Sequence, residues 1–197
     1  MQPTATRPRT RMTDTRTEPG WTGVVLAGGR SSRMGRDKAL LDWQGRSLIE
    51  HMRGLLREAG AQRVLVSGDY PAFDGIADET GGLGPLGGLG SVAAHLADGV
   101  LVVVPVDMPM LDASLLRRLA SIDADCACFV DHVLPLRLRL NDRSRAWLRQ
   151  ALELPPPQRS LRALHAALDG ISLPLTDTQR AQLLNCNTPE QWRELGR

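Results

Sequence analysis

No run of apolar residues in this chain approaches the roughly 20 that a membrane-crossing helix needs, so no helical span is expected. Cysteine is scarce. Cys126, Cys128 and Cys186 form no C-x-x-C pair, and the count is odd. With no apolar signal-peptide core at the start, this predicts reduced thiols in a cytoplasmic protein. Cys126 and Cys128 are expected on one face of a buried strand, acting as small hydrophobes. Charge of neither sign is in excess. A formal net charge of +2 gives no reason to expect nucleic acid or an acidic membrane surface as a partner. The four histidines, His51, His95, His132 and His165, show no metal-ligand spacing and are read as packing or surface residues. Residues 1–20 carry Thr, Arg and Pro with almost nothing to bury and read as a disordered tail. That leaves residues 21–197 as one domain, with enough apolar residues for a full core.

Within that domain strands and helices alternate, the pattern of a mostly parallel sheet covered on both faces. Val24-Val25-Leu26 is a β-branched apolar run, too short for a helix. Ser47 and Glu50 form a capping box before a helix over residues 48–59 that Gly60 ends. Residues 64–67 are the second strand. Residues 81–90 hold six glycines and are expected to be a loop, followed by a helix over 91–98. Residues 101–106 form the most hydrophobic strand and should lie centrally. Asp112 caps a helix to residue 120, and residues 126–130 are a strand. Residues 136–140 alternate apolar and basic, which predicts a strand with one wet face. Helices are expected over 144–154 and 160–169, with a last one starting at the Thr188 capping box.

The segment after Leu26 reads Ala27-Gly28-Gly29-Arg30, then Ser-Ser-Arg33-Met-Gly35-Arg36-Asp37-Lys38. Gly28 and Gly29 permit close approach of backbone N–H groups to an anion. Arg30, Arg33, Arg36 and Lys38 supply cations against the single Asp37. Such a loop at a strand's carboxyl end implies polyphosphate binding. It is not a Walker A loop, because five residues separate Gly29 and Gly35 and Arg36-Asp37 follows. A formal dinucleotide fingerprint at Gly82, Gly84 and Gly87 follows no strand and contains Pro85, so it is set aside.

Asp107 stands after the hydrophobic strand, at the end where open α/β sheets place ligands. A carboxylate there needs a strong partner. Magnesium with a nucleoside triphosphate is one; a helix cap or an ordinary ion pair is another. Lys38 is read as a phosphate ligand, with a solvated surface lysine as the alternative.

Taken together, four motifs in order resemble the molybdenum cofactor guanylyltransferases, of the MobA-like nucleotidyltransferase family. They are LAGGRSSRMGRDKALL from Leu26, GPLGGLGSV from Gly84, VVVPVDMPML from Val102 and NCNTPEQW from Asn185. The resemblance implies an α/β fold, a Rossmann-like three-layer sandwich with a mainly parallel twisted sheet of nucleotidyltransferase type. It implies Lys38, Arg33 and Asp107 as catalytic residues. The nucleotide-binding set it implies is Leu26, Ala27, Gly28, Gly29, Lys38, Gly68, Asp78, Gly84, Pro85, Gly88 and Asp107. Mg²⁺ would sit on Asp107, with Asn187 of the N-x-N-T-P-E motif as second ligand; Asn185 and Asn187 serving buried backbone is the alternative. GTP and molybdenum-molybdopterin are the implied substrates, with room for transient contact with molybdenum cofactor insertion proteins or recipient molybdoenzymes.

Two readings compete with this one. The first is a cytidylyl or sugar-phosphate transferase of the same fold; the second is a non-catalytic nucleotide-binding protein. Ala27-Gly28-Gly29 and the whole GPLGG segment favour guanine over cytosine. The chain departs from the family on the acceptor side. A longer hairpin ending in Gln- or His-Pro-Leu is usual there, and this chain has Val130-Asp-His-Val-Leu-Pro135-Leu136. Arg137 and Arg139 follow, either to meet an acidic cofactor or to solubilise an edge strand. Ser47 also replaces a proline common in the family.

Overall fold

The computed structural model describes residues 20–28, 37–78, 82–151, 153–155, 158–186 and 191. The expected tail, Gly20 apart, and the helix expected at Thr188, Gln191 apart, lie outside them. Strand β1 (Trp21–Leu26) buries Val24 and Val25 completely. A small antiparallel ribbon, β2 (Asp42–Trp43) and β3 (Arg46–Ser47), leads into helix α1 (Leu48–Glu58). The capping box forms as expected: the Ser47 backbone N–H donates to Glu50 Oε2 at 2.8 Å and the Glu50 N–H to Ser47 Oγ at 3.3 Å. The stripe Leu48, Ile49, Met52, Leu55 and Leu56 is buried. Strand β4 (Arg63–Ser67) follows, then helix α2 (Gly84–Ala94) and strand β5 (Gly99–Pro105). Helix α3 (Ala113–Ala120) is capped by Asp112, and strands β6 (Cys126–Phe129) and β7 (His132–Leu140) come next. Helices α4 (Asp142–Ala151) and α5 (Leu161–Ala167), strand β8 (Ile171–Leu173) and helix α6 (Asp177–Gln182) complete the elements.

One sheet organises them, in the order β4-β1-β5-β7-β6-β8. β4, β1 and β5 are parallel, β7 runs against both β5 and β6, and β8 is parallel to β6. Helices α1 and α3 touch each other over one face, while α2, α4 and α5 cover the other. This is the expected three-layer α/β arrangement with a mainly parallel sheet. β5 is interior, as its run of buried Leu101, Val102, Val103 and Val104 predicts. Among the described residues no helix is long and apolar enough to cross a membrane.

Three expectations are corrected. The glycine-rich segment is not a loop: residues 84–90 are the first two turns of α2, which ends at Ala94 rather than residue 98. Pro85 sits in the first turn, where its missing N–H costs nothing, and Leu86, Leu89, Val92 and Ala93 give the buried stripe. Glycine's low helix propensity masks both signals in the sequence. Next, the face of β7 expected to be wet is largely covered. The strand is hydrogen-bonded on both sides, α3 packs against it, and Arg137 is only 2% exposed. Third, β8, α6 and the β2–β3 ribbon were not expected. α6 carries its own capping box at Thr176 and Gln179, a legible signal. The helices expected at 144–154 and 160–169 are present as α4 and α5 with shifted ends.

Arg137 is the odd member of the core. Its Nε and Nη1 are buried without a hydrogen-bond partner, and burial pushes its guanidinium below its ordinary value. Arg139, two residues on, pairs with Asp123 at 2.8 Å and with Asp125 at 3.5 Å. Opposite Val102 and Val100, the two arginines point toward the amino end of β5 and line a groove of about 480 Å³ there with Trp21, Gln62 and Arg117. An unpartnered buried guanidinium is costly, so replacing it with a similarly long apolar chain should stabilise the fold. Arg137→Met is expected to raise the unfolding free energy by about 1–3 kcal/mol in urea titration; a loss of stability would show that the guanidinium has a partner.

Candidate functional site at the carboxyl edge of the sheet

β1 and β5 stop side by side, with Leu26 opposite Pro105, and the Val106 N–H donates to the Leu26 carbonyl at 3.1 Å. The chain past Leu26 then leans toward β4. The Ala27 and Gly28 N–H groups both donate to the Ser67 carbonyl, at 3.0 and 2.9 Å. The Gly28 amide therefore belongs to the sheet and not to an anion, which corrects the expectation for it. Gly29, Arg30, Arg33 and Arg36 lie outside the described residues.

The chain is described again at Asp37, whose Oδ1 accepts the Ala39 N–H at 3.0 Å and caps a short 3-10 turn, Lys38–Leu40. That turn presents Lys38 to the end of β5. Lys38 Nζ donates to Asp107 Oδ2 at 3.2 Å, with the two side chains 15% and 17% exposed. The solvated-lysine reading does not hold, and neither does a helix cap at Asp107, since Met108 to Leu111 after it form a turn and not a helix. The ion-pair reading does hold, but it uses one oxygen only. Asp107 Oδ1 is buried and has no hydrogen-bond partner. Among the described residues no group of three or more His, Cys, Asp and Glu side chains is set to hold a metal. A single carboxylate with one unsatisfied oxygen suits Mg²⁺, which takes one or two carboxylates and completes its shell with phosphate oxygens and water.

Asn187, the other expected ligand, lies outside the described residues. Its neighbourhood is tied to the site nonetheless, because the Cys186 N–H donates to the Asp107 carbonyl at 2.8 Å. Burial pushes the Cys186 thiol above its ordinary value, so it stays neutral beside the ion pair.

A second cluster adjoins the first at the ends of β1 and β4. Ser67 Oγ donates to Asp78 Oδ1 at 3.4 Å. A side chain on Gly28 would lie 3.6 Å from Asp78 Oδ2 and from Gly68 Cα. A Cβ on Gly88 would overlap Ser67 Oγ and come 3.2 Å from Asp78 Oδ1. So Gly28, Gly68, Asp78 and Gly88, expected from sequence, converge, and glycine at 88 is what lets α2 approach the sheet. Gly84 and Pro85 lie exposed in the first turn of α2, which no side chain caps.

The model of the MobA-like NTP transferase domain matches residues 23–171. The chain belongs to this family. The molybdenum cofactor guanylyltransferase of Xanthomonas euvesicatoria pv. vesicatoria is 55% identical over 89% of this chain and 94% of its own length. Among solved structures, molybdopterin-guanine dinucleotide biosynthesis protein A from Archaeoglobus fulgidus superposes with a TM-score of 0.65 at 22% identity, covering 89% of this chain and 96% of that one. Rv0371c from Mycobacterium tuberculosis, solved as a complex with manganese, superposes with a TM-score of 0.60 at 18% identity, covering 90% and 98%. Both structural likenesses speak to the fold.

In this MobA-like chain sequence reasoning missed Ser67, a fully enclosed hydroxyl at the end of β4. The signal was available: a polar residue closing the apolar run Val64-Leu65-Val66 at a strand's carboxyl end. The cluster makes the sign of one substitution decidable. Gly→Ala inside a helix ordinarily gains up to about 1 kcal/mol. At Gly88 the overlap with Ser67 should outweigh that gain. Gly88→Ala is expected to cost about 1–3 kcal/mol of stability by urea titration and to weaken nucleotide binding; a more stable variant would show that α2 has room to spare.

Proposed function

We propose that this chain transfers GMP from GTP to the terminal phosphate of molybdenum-molybdopterin, releasing pyrophosphate and forming a guanine dinucleotide cofactor, with residues 21–197 acting as one nucleotidyltransferase domain. The observation that carries the reading is the half-satisfied Lys38–Asp107 pair at the carboxyl edge between β1 and β5. The 55% identity to a guanylyltransferase over nearly the full length supports the choice of donor and acceptor.

In this reaction an acceptor phosphate oxygen bonds to the α-phosphorus as the bond from that phosphorus to the β-bridging oxygen breaks. The bonding pair leaves with pyrophosphate. The acceptor is already an anion near neutral pH, so no side chain has to deprotonate it. Catalysis then reduces to holding the reactants in line and neutralising charge. Lys38 is placed to leave Asp107 for the triphosphate, and Arg33 is assigned to the same task. Asp107, with Asn187 as second ligand, would hold a divalent cation, Mg²⁺ in this reading, which supplies charge neutralisation on phosphate oxygens when bound. Asp78, oriented by Ser67, is assigned to the base. A carboxylate accepts from both donors of the guanine edge and suits guanine better than cytosine. Leu26, Ala27, Gly28, Gly68, Gly84, Pro85 and Gly88 are assigned to the remaining nucleotide contacts, the first four past or at strand ends and the last three in α2. The three free thiols fit a cytoplasmic setting.

Pyrophosphate release with Mg²⁺ tests the reading. Release should require both GTP and molybdenum-molybdopterin, and CTP should not replace GTP. CTP-dependent release would overturn the base assignment, and no release with either nucleotide would overturn transferase function. Asp107→Asn keeps the shape of the side chain but removes its charge. It should reduce turnover by about 10²–10³-fold while leaving circular dichroism and thermal midpoint near wild type; full activity would remove the metal role from Asp107.

A further inference from the structure

We propose that Tyr70 is a positioning residue for the triphosphate end of the site, its hydroxyl tying the end of β1 to the turn that carries Lys38. This deepens the nucleotidyl-transfer reading and rests on it.

Tyr70 is the chain's single tyrosine, and its backbone is fixed on both sides. Its N–H donates to the Gly68 carbonyl at 3.0 Å, and its own carbonyl accepts from the Phe73 and Gly75 N–H groups at 2.9 and 3.0 Å. The ring lies against Gly68, where an added Cβ would meet Tyr70 Cε2 at 2.7 Å and the Gly28 nitrogen at 3.0 Å. Gly68 also has a φ of +128°, so both space and backbone reserve that position for glycine.

Held this way, the phenol reaches two places far apart in sequence. Its oxygen lies 2.9 Å from Asp37 Oδ1 and 3.2 Å from the Ala27 carbonyl, so one proton is shared between two acceptors, the carboxylate being the nearer. Burial, and then the hydrogen bond to Asp37, push the phenol above its ordinary value, so it remains a donor at any physiological pH. Asp37 Oδ1 is the same oxygen that caps the Lys38–Leu40 turn. The hydroxyl therefore connects Ala27, beside the Gly28–Asp78 cluster, to the turn that aims Lys38 at Asp107. Core packing does not need it: the hydroxyl's two partners are polar groups at the rim. What it sets is the separation between the base half and the charge half of the site.

Tyr70→Phe removes the hydroxyl and keeps the ring against Gly68. The variant should raise the KM for MgGTP about tenfold, because the turn is then free to aim Lys38 less well, with kcat within about twofold of wild type. Guanosine, which lacks phosphates, should bind the variant and wild type alike by NMR titration, and circular dichroism should be unchanged. A KM unchanged within twofold would overturn the proposal, as would equal weakening of MgGTP and guanosine, which would mark a general distortion. Wild-type protein that binds no MgGTP would remove the nucleotidyl-transfer reading itself, and this proposal with it.

Discussion

The parallel pairing of β1 with β5, in register from Trp21 opposite Val100 to Leu26 opposite Pro105, is the constraint on which the site depends. It makes two strands far apart in sequence stop at one level. The residues just past their ends meet there without any long-range design of their own. Lys38 arrives from the β1 side on a capped turn, and Asp107 from the β5 side after Val106. Their contact at 3.2 Å follows from strand register and one 3-10 turn. β4 extends the same edge by one strand and adds Ser67, Gly68 and, through the segment after it, Asp78. Buried valines fix the ends of the three strands, and the polar contacts among the groups beyond those ends then set their orientation.

That division of labour explains an apparent weakness of the ion pair. It satisfies only one Asp107 oxygen and leaves the other buried and bare. In a structural salt bridge such an omission would be a defect. In the proposed transferase it would be useful, because a cation would have an oxygen to take and Lys38 would have a phosphate to follow. The Cys186 backbone bond to the Asp107 carbonyl then fixes the main chain while the carboxylate remains available.

Much of this was legible in the residues. Val24-Val25-Leu26, the Ser47–Glu50 box and the apolar run into Asp107 each follow a local rule, and local rules held. Lys38 and Asp107 were legible as candidates from their places past two strand ends, and the ion pair between them is one of the readings open for Asp107 from sequence. What was not legible depended on partners across space. Pro85 and four glycines of α2 read as a loop until Ser67 and Asp78 are seen pressing where a Cβ at 88 would stand. Arg137 and Arg139 read as a wet strand face, because nothing local tells that α3 lies over them. Their place near the amino end of β5 also takes them away from Asp107, so the acidic-cofactor role considered for them is not at this site. The Gly28 amide looked free to meet an anion only because the Ser67 carbonyl is 39 residues away in the chain.

The most direct test of the account is a crystal structure of the chain with GTP and Mn²⁺. The account predicts the cation on Asp107, Lys38 Nζ moved from Asp107 Oδ2 to a phosphate oxygen, and the guanine edge against Asp78. A structure with the Lys38–Asp107 pair intact and the nucleotide or cation bound elsewhere would contradict it.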